Sequence, residues 1–130
     1  MSLIEDVLEF NKTSLMPVLN TPQMPTIRRC VLRQISIQKQ IDDLNTAWSE
    51  KNVDNAARAI SNCLYTLTSI AFELGLQNHL EIYLHEVHIV NMVKMNTVDT
   101  YYPKNKRDPV NIANVTEGML INMFNQTALG

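Results

Sequence analysis

Residues 26–75 read TIRRCVLRQISIQKQIDDLNTAWSEKNVDNAARAISNCLYTLTSIAFELG, and this stretch decides the fold. From Ile27, the apolar residues Val31, Ile35, Ile37, Ile41, Leu44 and Trp48 recur at threes and fours, with one step of two. That is the spacing of an amphipathic helix. Thr26 is its expected N-cap, and its end falls near Lys51 and Asn52. Asn52 or Asp54 then caps a second long helix, whose buried stripe is expected to be Val53, Ala56, Ala57, Ile60, Leu64, Leu67, Ala71 and Leu74, with Gly75 as the stop. Two long helices joined within about three residues make an antiparallel hairpin whose polar faces can look at each other.

Working outward, residues 2–13 carry Leu3, Val7, Leu8 and Phe10 behind acids in the first turn, which predicts a short amphipathic helix. Pro17, Pro22 and Pro25 forbid regular helix in the stretch that follows, leaving an extended linker or a strap over the surface. Downstream, Leu80, Leu84, Val87 and Val90 predict a further helix over about 78–95. Residues 96–111, with Tyr101-Tyr102-Pro103 and the basic Lys104, Lys106 and Arg107, read as an irregular arm, and 112–124 as a last helix. The expected organisation is therefore all-α: an antiparallel helical bundle over 1–95, with 96–130 as a C-terminal arm that joins the same domain or an oligomer interface.

Composition supports this. The 130 residues include only three glycines and five prolines, too few for the frequent turns of an all-β sandwich or barrel. With 45% apolar residues the chain is not a disordered one, and a net charge of -2 excludes bulk electrostatic binding of nucleic acid. Charged residues make up 18%, below the ~25% of an average domain, so an oligomer is expected to hide part of the surface. Cys30 and Cys63 make neither a disulfide framework nor a metal knuckle, and are expected to be small core residues. No apolar run approaches the ~20 residues of a membrane span. No basic-then-apolar leader opens the sequence, so the expected location is the cytoplasm.

Four stretches, in order, carry a family resemblance: Ile4-Glu5-Asp6-Val7-Leu8-Glu9-Phe10 with Pro17-Val18; the helix from Leu32 to Trp48; Ile60 to Tyr65 with Phe72-Glu73-Leu74-Gly75-Leu76; and Glu86-Val87-His88-Ile89-Val90-Asn91-Met92-Val93-Lys94-Met95. Over most of residues 4–95 the chain resembles the all-α nucleotide pyrophosphohydrolase superfamily, which includes MazG and phosphoribosyl-ATP pyrophosphohydrolase. It looks most like the phage and bacterial proteins described as phosphoribosyl-ATP-pyrophosphohydrolase-like. The resemblance implies a MazG-like bundle that forms homo-oligomers. Its relatives cut a nucleoside triphosphate between the α and β phosphates, using magnesium held by E-E-x-x-E on one helix and E-x-x-D on the next. Such hard cations want several carboxylate oxygens.

Laid on this chain without gaps, the pattern falls on Lys39, Gln40 and Asp43, then on Ala59 and Asn62, so that Asp43 alone keeps an acid. An ammonium such as Lys39 repels a metal by ~4 kcal/mol per unit charge at 4 Å and an effective dielectric near 20. No metal site is expected beyond the weak residual candidates Asp42 and Asp43, and no catalytic residue. In place of metal, Arg33, Lys39 and Arg58 offer direct phosphate contacts, Arg with a bidentate fork. Asn62 belongs to the same set, and the resemblance adds Asn91 and Lys94, which in relatives help hold the nucleotide. Tyr65 or Trp48 offers a face for base stacking. Each has a plainer reading: the cations as a solvated helix face, Arg58 paired with Asp54 or Asp43, Trp48 as core, Tyr65 as partly packed.

The functional expectation is a catalytically inactive MazG-like protein that captures a nucleotide or nucleotide-derived signal. In a phage such a protein acts as a sponge against host nucleotide-signalling immunity, in the host cytoplasm. Two other classes stay open. One is a divergent pyrophosphohydrolase using Asp42, Asp43 and Glu73 or Glu86 with Mg²⁺, and the other is a helical adaptor that binds another protein.

Overall fold

A computed structural model describes residues 2–101, which form four helices and, among the described residues, no strand. They are α1 (Leu3–Thr13), α2 (Ile27–Ser49), α3 (Val53–Glu73) and α4 (Leu80–Tyr101). The chain divides into two compact units, 1–80 and 81–130. The predicted final helix over 112–124 and the basic cluster of Lys104, Lys106 and Arg107 lie outside the described residues.

Local chemistry sets the helix ends. Ser2 opens α1 with a capping box: its hydroxyl accepts from Glu5 N at 3.2 Å while the Glu5 carboxylate accepts from Ser2 N. Thr26 caps α2 through Arg29 N, and Asn52, rather than Asp54, caps α3 through Asn55 N. The three helices of the first unit all stop in one way. The backbone turns left-handed at Leu15, Lys51 and Gly75, and the next N–H reaches back to Asn11, Ala47 and Ala71 respectively, at 2.9 Å each. These are Schellman closures, with glycine at just one of the three left-handed positions.

The proline-rich segment 14–26 is a strap across the end of α3. Leu19 N donates to the Phe72 carbonyl at 3.1 Å and Gln23 N to the Leu74 carbonyl at 3.0 Å, pairing groups that the helix end leaves open. Gly75 lies under this strap, where a Cβ would stand 2.1 Å from the Thr21 oxygen. The residue must therefore be glycine for lack of space as well as for its φ of 72°.

Within the first unit α2 runs antiparallel along α3, and α1 packs on α3. Among the described residues the buried apolar ones are few: Val7, Ala47, Ala59, Ala71 and Phe72. This corrects the expected core of α3. Val53, Ile60, Leu64 and Leu67 are exposed, and so are Ile27, Val31, Ile35, Ile41 and Trp48 of α2. Of the expected stripes Ala71 is buried and Ile37, Leu44, Ala56 and Leu74 are half-buried, so the spacing identified the helices and only part of the inward face. Cys30 and Cys63 are half-buried rather than core.

The second unit begins within α4, which carries on through 96, where an irregular arm was expected, as far as Tyr101. No glycine or proline interrupts the sequence before Pro103. Every residue from Glu81 to Val90 is exposed, with apolar side chains all round the helix.

Candidate functional site

Near the hairpin turn a polar cleft of about 250 Å³ lies between α2 and α3. Asp43, Thr46 and Glu50 form the α2 wall and Asn55, Arg58 and Asn62 the α3 wall, with Ala47 and Ala59 between. The wall residues of α3 recur at steps of three and four, so one face of the helix supplies them all. Arg58 makes neither an ion pair nor a hydrogen bond among the described residues, although Asp54 stands one turn before it. Its guanidinium keeps all five donors available for a bound group.

Lys39 does not line this cleft. Its side chain is 73% exposed, and its ammonium pairs with Asp43 at 2.9 Å along the helix. Asp42 accepts from Gln38 Nε2 at 2.9 Å on the α2 surface. The donors do not fit a paired-ion site: Asp43 shares the cleft with Ala59 and Asn62, carries its own ammonium, and belongs to no group of three His, Cys, Asp or Glu among the described residues.

Arg33 is drawn elsewhere. It reaches the end of α3, where Glu73, 1% exposed, holds both Arg33, whose Nε is 2.9 Å from Oε1, and Arg29, whose Nη2 pairs with the same oxygen. Arg33 Nη2 also donates to Ser69 Oγ at 2.5 Å. Ser69 Oγ in turn donates to Asn11 Oδ1 at 2.7 Å, and Asn11 Nδ2 to the Ser69 carbonyl at 3.3 Å. The chain Asn11–Ser69–Arg33–Glu73–Arg29 ties α1, α2 and α3 together. The carboxylate favours the charged form of both partners, but the net directions differ. Hydrogen bonding to Glu73 raises the Arg29 pKa, whereas burial, the larger influence on the deeper Arg33, lowers that of Arg33.

Of the two stacking candidates, Tyr65 is turned toward α1, edge-on to Phe10 with ring centroids 5.6 Å apart. Trp48 is 63% exposed, not core, and borders a hollow formed with Lys51, Asn52, Val53 and Ala56 at the hairpin turn. Asn91 and Lys94 lie one turn apart on α4, in the second unit. Lys94 is buried, and the buried Asn91 Oδ1 has no hydrogen-bond partner among the described residues.

Arg58, Asn62, Thr66, Ser69 and Glu73 recur at steps of three and four along one polar face of α3. The structure divides that face into an open cleft at 58–62 and a closed network at 69–73. Two signals pointed to the network. Glu73 lies in the last turn of α3, where a negative charge opposes the helix dipole. Arg29 and Arg33 have no acid three or four residues away on their own helix. The cations expected to gather at the cleft reduce to Arg58, which shares it with two carboxylates. Compared with known protein families and with curated protein sequences, the chain matches none.

Proposed function

We propose that the protein is a catalytically inactive relative of the MazG-like pyrophosphohydrolases that captures a nucleotide or nucleotide-derived phosphate compound without cleaving it. One observation carries the reading: the unpaired Arg58 guanidinium on the wall of a polar cleft between two helices. A phosphate takes the fork of an arginine in two parallel hydrogen bonds. Asn55, Asn62 and Thr46 supply amide and hydroxyl groups for base edges or phosphate oxygens, while Asp43 and Glu50 accept from ribose hydroxyls or base amino groups. At about 250 Å³ the cleft is somewhat smaller than most ligand pockets, and takes the phosphate and sugar rather than a whole dinucleotide. Alanine and asparagine where relatives carry acids remove the means of placing metal and activating water. A phage-encoded protein of this kind serves as a sponge for a host nucleotide signal.

Titration calorimetry in EDTA against nucleoside mono-, di- and triphosphates and cyclic dinucleotides tests the proposal. Uptake of at least one compound is expected, lost in Arg58→Glu and kept in Arg33→Gln; heat from none of them defeats it. The two carboxylates in the cleft favour one other reading, residual metal-dependent hydrolysis through Asp43. Pyrophosphate released from a nucleoside triphosphate with Mg²⁺ or Mn²⁺, and lost in Asp43→Asn, would decide for it.

A further inference from the structure

Two opposite charges line the cleft without meeting. Glu50 stands on the α2 wall and Arg58 on the α3 wall, yet no ion pair or hydrogen bond engages either side chain among the described residues. An unengaged carboxylate and an unengaged guanidinium in one hollow suit a ligand that is anionic at one end and donates hydrogen bonds at the other. Asp43, the third charge of the cleft, is already met by Lys39. Two carboxylates and one guanidinium leave the lining with one negative charge. Lys39 offsets that charge, and Asp54, one turn before Arg58, restores it.

This balance decides which phosphates fit. One guanidinium offsets one negative charge. A phosphomonoester carries about −2 at pH 7, and each further phosphate of a chain adds to it, so a di- or triphosphate brings surplus charge toward Glu50 and Asp43. A phosphodiester carries a single charge per phosphate, as in a nucleic-acid backbone. Size decides what Glu50 meets. At about 250 Å³ the cleft holds phosphate and sugar, so with the phosphate on Arg58 the donor left for Glu50 is a ribose hydroxyl. An acidic side chain accepting from the 2′-hydroxyl is a general mode of ribose recognition. Arg58 and Asn62 also border a shallower hollow of about 400 Å³, which leaves room for the base outside the cleft. Resting on the nucleotide-capture reading, we infer that the cleft selects a ribose phosphodiester, with its singly charged phosphate on Arg58 and its 2′-hydroxyl on Glu50, and turns away nucleoside polyphosphates.

Calorimetry of the full chain in EDTA, at about 0.15 M salt, tests the inference. The probes are the 3′,5′-cyclic monophosphates and cyclic dinucleotides of adenosine and guanosine, their 5′-mono- and triphosphates, and the 2′-deoxy form of the tightest diester. That diester is expected to bind at least about tenfold tighter than either triphosphate, with the monophosphates between them. Loss of the 2′-hydroxyl weakens it about tenfold, the worth of one hydrogen bond to a charged group. Glu50→Gln, at an exposed position, narrows the preference for diester over triphosphate at least about threefold, and Asp43→Asn, which also releases Lys39, moves it the same way. A triphosphate that binds as tightly as the diesters overturns the inference and leaves nucleotide capture standing. So does a 2′-deoxy diester of equal affinity, or a preference that neither carboxylate substitution moves. Heat from none of the probes overturns both readings.

Discussion

Replacing Glu73 by glutamine tests what joins α2 to the end of α3. The carboxylate is 1% exposed and holds two guanidiniums, one on a side chain 13% exposed and one 34% exposed. Glutamine keeps the shape and one acceptor but removes the charge, leaving the largely covered Arg33 beside a neutral amide. Breaking a buried pair by removing one partner costs 3–5 kcal/mol, and the retained acceptor puts this case near ~3 kcal/mol. Arg29 turns to water and adds well under ~1 kcal/mol. For a chain of this length, at roughly 4 °C per kcal/mol, the melting temperature falls by about 12 °C. Thermal unfolding by circular dichroism, with parent and variant at the same concentration, measures the shift. The double replacement Arg33→Met with Glu73→Leu removes both buried charges and recovers more than half of the loss. A fall of under about 3 °C in Glu73→Gln would refute the reasoning, because the ion triad would then contribute no more than a surface pair.

Two further substitutions address the left-handed helix stops. Gly75→Ala forces a Cβ against the Thr21 carbonyl, so the strap must lift and stability falls by ~2 kcal/mol or more, read as a lower urea midpoint. Lys51→Gly relieves a side chain held at φ 54° and raises stability by up to ~1 kcal/mol, seen as a higher midpoint with an unchanged slope.

The four helices of the described residues, their starts to within about two residues and the proline segment were legible along the chain because each depends on neighbours within four residues. Ser2, Thr26 and Asn52 cap through backbone donors three positions away, and Gly75 marks its own stop. Leu15 and Lys51 were not legible as left-handed stops, since nothing in their side chains requires that conformation and the helix closure imposes it.

The sequence by itself determined that two long helices, α2 and α3, follow one another as an antiparallel hairpin. Periodicity specifies that a helix has an apolar stripe but not what the stripe faces. Ala47 and Ala59 are buried between α2 and α3, beside the polar residues of the cleft, whereas Val53, Ile60, Leu64 and Leu67 are exposed. Only the tertiary structure decided which cation belongs to the cleft. Glu73, forty residues beyond Arg33 in sequence, draws that arginine into a buried network, Asp43 holds Lys39 on the outer surface, and Arg58 is left facing the cleft with its donors unspent. Charge partners are chosen by distance in space, which spacing along a single helix does not encode.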